Sequence, residues 1–181
     1  HSYWRLREHS QKIAVELVKV AGSKTLEMQF SQSVDPASAA GILEVFAKAK
    51  SATGLPLAKK AMKHDRPLIR QAAVKTYFAL GGDKVLPEVL AHLKQVTTQE
   101  DLRGCEQALL SRRDDAAHMI AVRKGVTGML ARASDILRPS LYYLLSQIGD
   151  TESIAALEKA AGTDSVAELE EIIFALSYSQ G

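Results

Sequence analysis

The stretch from Asp65 to Leu93, DRPLIRQAAVKTYFALGGDKVLPEVLAHL, predicts two helices joined by a tight turn. Apolar residues recur at helical spacing in both halves, which is typical of helices with one buried face. They are Leu68, Ile69, Ala72, Ala73, Tyr77 and Leu80 in the first half, and Val85, Leu86, Val89, Leu90 and Leu93 in the second. Gly81 and Gly82 are expected to end the first helix. Because one such pair cannot bury its apolar face alone, repeated pairs are expected to stack.

The pair recurs along the chain. An aliphatic residue followed by arginine marks the first helix of each pair, at Ile69-Arg70, Leu102-Arg103 and Leu137-Arg138, and Leu169-Glu170 holds the same position in the last helix with the arginine lost. These positions are 33, 35 and 32 residues apart. No stretch alternates between apolar and polar residues as a strand would. The chain is therefore predicted to be helical throughout.

This pattern resembles the bacterial HEAT-like repeats, which combine a capping residue, an aliphatic-Arg pair, small residues and a glycine turn. The resemblance covers residues 65–181 as three hairpin repeats and one unpaired helix, while residues 1–64 fit it as N-terminal helices and a degenerate repeat. It implies an all-α, right-handed α-solenoid of HEAT-like or armadillo-type helical hairpins. Residues 1–181 would form a single domain, expected to be a fragment of a longer bacterial chain.

The resemblance also implies roles for the three arginines. In such repeats the arginine pairs with an aspartate or a carbonyl of the adjacent repeat, so Arg70, Arg103 and Arg138 are expected to be structural. The alternative is a ladder of anion-binding guanidinium groups, against which Glu170 at the fourth position argues.

Capping residues predict where the helices begin. The predicted caps are Asp35, Thr53, Asp65, Asp114 or Asp115, Asp135, Thr151 and Ser165, and a further helix is expected to begin within residues 97–101. The first helix is expected from Ser2 to about Val20, with Leu6, Ser10, Ile13, Leu17 and Val20 on its buried face. The last is expected to bury Val166, Leu169, Ile172, Ile173 and Leu176. Gly125 and Gly128 lie inside one long helix, where each marks a close neighbour or a bend.

Motifs for catalysis, metal binding or cofactor binding are absent from the sequence, so we expect a non-catalytic chain without a cofactor. Cys105 is the only cysteine and lies on an apolar stripe, which favours a small core residue over a nucleophile. The histidines are far apart in the sequence and form no metal-binding pair, so each is expected to be a surface residue. They are His1, His9, His64, His92 and His118. Tyr142 is expected on an exposed face, where a tyrosine can anchor a partner. No apolar run approaches the ~18 residues that a membrane span needs.

Charge is distributed unevenly. Residues 1–95 carry 15 Lys and Arg against 8 Asp and Glu, whereas residues 96–181 carry 8 against 13. Seven cations fall within residues 48–70: Lys48, Lys50, Lys59, Lys60, Lys63, Arg66 and Arg70. A solvated helix face explains such a cluster, but nucleic-acid binding would also use it.

These observations favour a protein-interaction or scaffolding module that binds a protein partner on a concave surface. The candidate residues of that surface are Lys59, Lys60, Lys63, His92 and Lys124. Two alternatives remain open at this point. One is a nucleic-acid-binding HEAT-like module that uses the basic cluster, and the other is an accessory domain of a larger bacterial enzyme. No signal peptide is visible, and both cytoplasm and periplasm suit the composition.

Overall fold

A computed structural model describes residues 2–162 and 165–178, with the backbone alone at residues 2–7, 21 and 178. Within these residues the chain is helical and has no strand, which confirms the predicted all-α class. The α-helices are α1 Ser2–Ala21, α2 Lys24–Gln32, α3 Pro36–Ala49, α4 Gly54–Ala61, α5 Pro67–Gly81, α6 Leu86–Leu93, α7 Gln99–Leu109, α8 Ala116–Leu130, α9 Arg138–Ile148, α10 Thr151–Ala160 and α11 Val166–Tyr178. Among them, none is both long enough and apolar enough to cross a bilayer.

Two compact units make up the chain, residues 1–85 and residues 86–181. The predicted turn of the hairpin at 65–93 is present, because α5 ends at Gly81 and Gly82 takes a φ of 57°. That region of the backbone map favours glycine. A short 3-10 turn, Gly82–Val85, follows, and α6 begins the second unit.

The first unit is built around α3 and α5. Helix α5 packs against α3 and α4, and α3 also packs against α1 and α2. Their shared core consists of fully buried side chains: Leu43, Phe46, Ala58, Ala73 and Phe78. Leu68, predicted on the buried face of α5, is instead 46 % exposed. The buried stripe of α5 is otherwise broader than predicted, because α3 and α4 cover two of its sides.

The predicted buried face of α1 is wrong. Ile13, Leu17 and Val20 are 50, 59 and 86 % exposed, whereas Val18 is buried. The contact with α3 explains the difference. Gln11 donates a hydrogen bond to Glu44 (2.8 Å) and accepts one from Lys48 (2.6 Å). The polar partners on α3 thus turn the Gln11–Val18 side of α1 inward. Leu6 lies outside the side chains that the structure describes.

Three predicted caps are confirmed by a bond from a backbone N–H. The caps and the residues that donate are Asp35 with Ala37 and Ser38, Asp115 with His118, and Ser165 with Glu168. Within the predicted start at 97–101, the capping residue is Thr98, which accepts from Asp101. In each of them a side-chain oxygen satisfies a donor that the helix leaves unpaired.

Three other predicted caps are wrong. Arg66 stands in the N-cap position predicted for Asp65, Leu137 in that predicted for Asp135, and Asp150 in that predicted for Thr151. Thr53 does lie at the N-cap position of α4, but its side chain makes no capping bond. Proline explains the first two. Pro67 and Pro139 lie in the first turn of their helices, where their fixed φ is already helical, so each helix begins beyond the expected aspartate.

The second unit is built around α9, which packs against α7, α8, α10 and α11. The fully buried side chains of this unit include Leu102, Leu109, Leu141, Leu144, Leu145, Leu157 and Ile172. The predicted face of α11 is wrong at Val166 and Ile173, which are 71 and 64 % exposed. Only the Ile172 and Ala175 side of this helix is fully covered.

Gly125 marks a close approach of two helices in the second unit. Helix α6 packs against α8, and a Cβ placed on Gly125 would lie 2.4 Å from Leu90 Cδ1. Gly128, one turn further along α8, has nothing within 4 Å of such an atom. Of the two readings predicted for these glycines, the close neighbour therefore applies to Gly125.

Candidate functional site

The predicted basic surface is exposed in the first unit. Lys59 and Lys60 lie in the last turn of α4, Lys63 follows its end, and all three side chains are exposed. The Lys59 ammonium group lies 6.0 Å from the centroid of the Tyr77 ring, at the outer limit of a cation–π contact. The first unit as a whole carries 14 Lys and Arg against 7 Asp and Glu.

Aromatic side chains near this cluster are not available for stacking. Phe46, Tyr77 and Phe78 are all at most 3 % exposed. Single-stranded nucleic acid binding combines a basic groove with exposed aromatic rings. The cluster therefore offers charge but no stacking from these three residues.

His92 and Lys124, the other predicted surface residues, belong to the second unit. His92 lies in the last turn of α6 and is half-buried, whereas Lys124 is exposed on α8. Lys124 and Arg123 line a shallow cavity with Glu152. The Arg123 guanidinium pairs with Glu152 (2.8 Å) and with Asp150, and so fastens α8 to the start of α10. We interpret this cavity as a by-product of that structural ion pair.

A larger groove, which the sequence did not predict, runs across α7, α9 and α11. Two adjoining cavities of about 630 and 670 Å³ form it, and both are lined by Arg103, Glu106 and Tyr143. One end is closed by residues of α11, including Glu170, Glu171, Phe174 and Ala175. The other end is lined by Leu110, Arg113 and Gln147. We call this feature the α7–α9–α11 groove.

Two aromatic rings lie open in the groove. Tyr143 is 39 % exposed and Phe174 is 62 % exposed. Pro139, Ala167 and Ala175 add apolar surface around them. Rigid aromatic side chains in a concave surface are the usual anchors of protein–protein interfaces. The groove therefore has the apolar centre that a binding site for a protein segment requires.

The charge of the groove changes along its length. Burial raises the pKa of Glu106 from its ordinary value, although a hydrogen bond with Ser140 and the charge of Arg103 act in the opposite direction. Burial and the negative charge of Glu168 also raise the pKa of Glu171, and the attraction of Arg138 does not compensate. Glu170 and Glu171 lie at the α11 end and Arg113 at the other end, whereas Arg103 and Glu106 line both.

The arginines at the repeated position fall into two kinds. The Arg70 guanidinium donates to the carbonyls of His64 (2.7 Å) and Asp65 (2.9 Å). The Arg138 guanidinium likewise donates to the carbonyl of Ala133 (3.2 Å). Both bind the backbone that leads into their own helix, which supports the structural interpretation of these two.

Arg103 differs, because its side chain is exposed and lines the groove. The structural role expected for Arg103 therefore has less support than the roles of Arg70 and Arg138. Its exposed guanidinium is available to a ligand at the centre of the groove.

Two residues predicted at the surface are buried. His118 is 1 % exposed, and its Nε2 lies 2.8 Å from the carbonyl oxygen of Leu109, to which it can donate. Tyr142 is 2 % exposed, and its hydroxyl donates to the Glu168 carboxylate. In both, a hydrogen bond to the polar group lowers the cost of burying it. His1 and the side chain of Tyr178 lie outside the described residues.

Cys105 is buried, as predicted. Burial, together with the charges of Asp101 and Glu106, raises the pKa of its thiol to about 12. A thiol of this kind stays protonated at neutral pH and is a poor nucleophile. Among the described residues, no three His, Cys, Asp or Glu side chains converge in a way that could hold a metal ion.

No profile of a known protein family matches the chain, and a comparison with curated proteins finds no significant relative.

Proposed function

We propose that this chain is a non-catalytic protein-binding module that binds a segment of a partner protein in the α7–α9–α11 groove. The groove itself is the observation that carries the proposal. It is concave, it exposes Tyr143 and Phe174, and charged side chains surround these rings. An apolar centre with a polar rim is the common anatomy of a protein interface.

The proposed architecture is a right-handed α-solenoid of HEAT-like hairpins. The equivalent roles of Arg70 and Arg138 support it, because both guanidinium groups bind carbonyls five residues before them in the chain. Helices α7, α9 and α11 carry the repeated aliphatic positions Leu102, Leu137 and Leu169 at or just before their first turns. A surface formed by successive first helices is a common binding surface in such repeats.

Selection from a phage-displayed library of random peptides tests the proposal. Peptides that bind the wild-type protein should lose binding when Tyr143 is changed to alanine. The matched control is Ile120→Ala, which removes an exposed apolar side chain from α8, outside the groove. Truncating an interface anchor typically weakens binding by ~2 kcal/mol or more, whereas the control should leave affinity unchanged. Equal affinity of the selected peptides for all three proteins would contradict the proposal.

A second candidate function is nucleic-acid binding by the basic cluster at 48–70. The net positive charge of the first unit and the exposure of Lys59, Lys60 and Lys63 favour it. Retention on duplex DNA across a salt series tests it. Each phosphate contact should contribute a slope of about −0.9 to the dependence of log affinity on log salt.

The variant that separates the two functions carries Lys59→Glu, Lys60→Glu and Lys63→Glu. Nucleic-acid binding by the cluster predicts that this variant loses DNA affinity, while a control with Lys94→Glu and Lys159→Glu keeps more of it. If the first variant binds DNA as the wild type does, the cluster is a solvated helix face. Peptide binding in the groove should not respond to either variant.

A further inference from the structure

We infer that the α7–α9–α11 groove selects partner segments in which a lysine or arginine stands next to an aromatic or aliphatic residue. The inference rests on the proposed function and names the chemistry of the partner. It follows from two features that adjoin at the α11 end of the groove, namely a surplus of negative charge and an exposed aromatic ring.

Carboxylates outnumber cations at this end of the groove. Among the described residues that line this cavity, the acidic ones are Glu106, Glu170 and Glu171, whereas the single basic one is Arg103. Arg138, the first residue of α9, already contacts the Glu168 carboxylate (3.8 Å) and donates to a carbonyl. Three carboxylates of the cavity therefore face one guanidinium.

Glu171 reports the consequence of this surplus. Its pKa is raised by burial first, and then by the charges of Glu168 and Asp135, against the attraction of Arg138. An ammonium or guanidinium group placed beside Glu170 and Glu171 would relieve this repulsion. A partner cation is thus favoured here, and a phosphate would be repelled.

The apolar part of the site adjoins the acidic part. Phe174 is 62 % exposed and follows Glu170 and Glu171 on α11, so that one side of the helix presents carboxylates and a ring together. Tyr143 is exposed on the facing helix, α9. An aromatic or aliphatic side chain of the partner would pack against these rings, and its neighbouring cation would also gain from their faces.

Sequencing of peptides selected from the random phage library, followed by affinity measurement, tests the inference. Lys or Arg adjacent to an apolar residue should be enriched among the selected peptides. Glu170→Gln together with Glu171→Gln should weaken their binding about tenfold, because two partly exposed charge pairs are lost. The control Glu158→Gln removes an exposed carboxylate from α10, away from the groove, and should change nothing. Added salt should weaken wild-type binding more than binding to the double variant.

The possible outcomes distinguish a failure of this inference from a failure of the proposed function. Peptides that need Tyr143 but show no basic enrichment, or that ignore the glutamine changes, overturn the inference and leave the proposed function standing. Peptides that ignore both Tyr143 and the glutamates, or a selection that yields no binder, overturn both. Sedimentation velocity tests the remaining occupant: self-association that the two glutamine changes abolish would mean that a second copy fills the groove, and the inference would be wrong.

Discussion

Replacing Gly125 with alanine sets two opposing effects against each other. Alanine is favoured over glycine inside a helix by about 1 kcal/mol. At Gly125, however, the new Cβ would lie 2.4 Å from Leu90 Cδ1 and 3.3 Å from Cδ2. Overpacking of this kind typically costs about 1–3 kcal/mol. Leu90 is half-buried, so rotation of its side chain should relieve part of the strain. We expect Gly125→Ala to lower the free energy of unfolding by about 1 kcal/mol, the balance of these terms.

Gly128→Ala is the matched control on the same helix. A Cβ at this position meets nothing within 4 Å, so only the helix preference acts, and the variant should be more stable by about 0.5–1 kcal/mol. Urea denaturation followed by far-ultraviolet circular dichroism measures both changes. A further cycle with Leu90→Ala isolates the contact, because in that background Gly125→Ala should become stabilising. If Gly125→Ala stabilises the wild-type protein as much as Gly128→Ala does, Leu90 moves aside without cost and the expected overpacking is refuted.

Three further predictions concern polar groups. Burial raises the pKa of Glu106, so the folded state binds this proton more tightly than the unfolded state does and stability falls as pH rises through that pKa. Glu106→Gln should therefore raise the urea midpoint at neutral pH, and its advantage should shrink as the solution is acidified. Tyr142→Phe leaves the Glu168 carboxylate without its buried donor and should lower the free energy of unfolding by about 1.5–3 kcal/mol, measured by denaturation at fixed pH. Asp35→Ala should lower the urea midpoint because the cap of α3 is lost, whereas Asp65→Ala, which removes no cap, should change the midpoint less in the same assay.

The positions of the helices could be predicted because their signals are local. Apolar spacing, glycine and proline place α3, α5, α7 and α9 within a few residues of their observed bounds. Asp35, followed directly by Pro36, predicts a capped start that is confirmed. The cap predicted at Asp65 is wrong because Arg66 separates this aspartate from Pro67, where the helix begins. A cap can thus be predicted where the capping residue directly precedes the proline, and not where another residue lies between them.

The candidate groove could not be predicted, because its residues are far apart in the chain. Arg103, Tyr143 and Phe174 belong to three helices, and no short motif connects them. Arg103 is a residue type that suits ligand binding, but its position in the repeat predicted a structural role. Of the groove residues, Tyr143 has the residue type that an interface anchor uses, but its position in the sequence did not indicate on which face of the helix it lies.

By itself, the sequence determined the all-α class, the approximate bounds of several helices and the burial of Cys105, because periodicity and turn residues act through the backbone nearby. Only the tertiary structure decided which side of α1 turns inward, that Tyr142 and His118 are buried, and that an acidic, aromatic groove forms on the second unit. A helix of mixed polarity can bury more than one face. Which face it buries depends on the partners that neighbouring helices offer, such as Glu44 for Gln11 and Glu168 for Tyr142. The members of these two pairs are 33 and 26 residues apart in the chain, so they meet only in the folded protein.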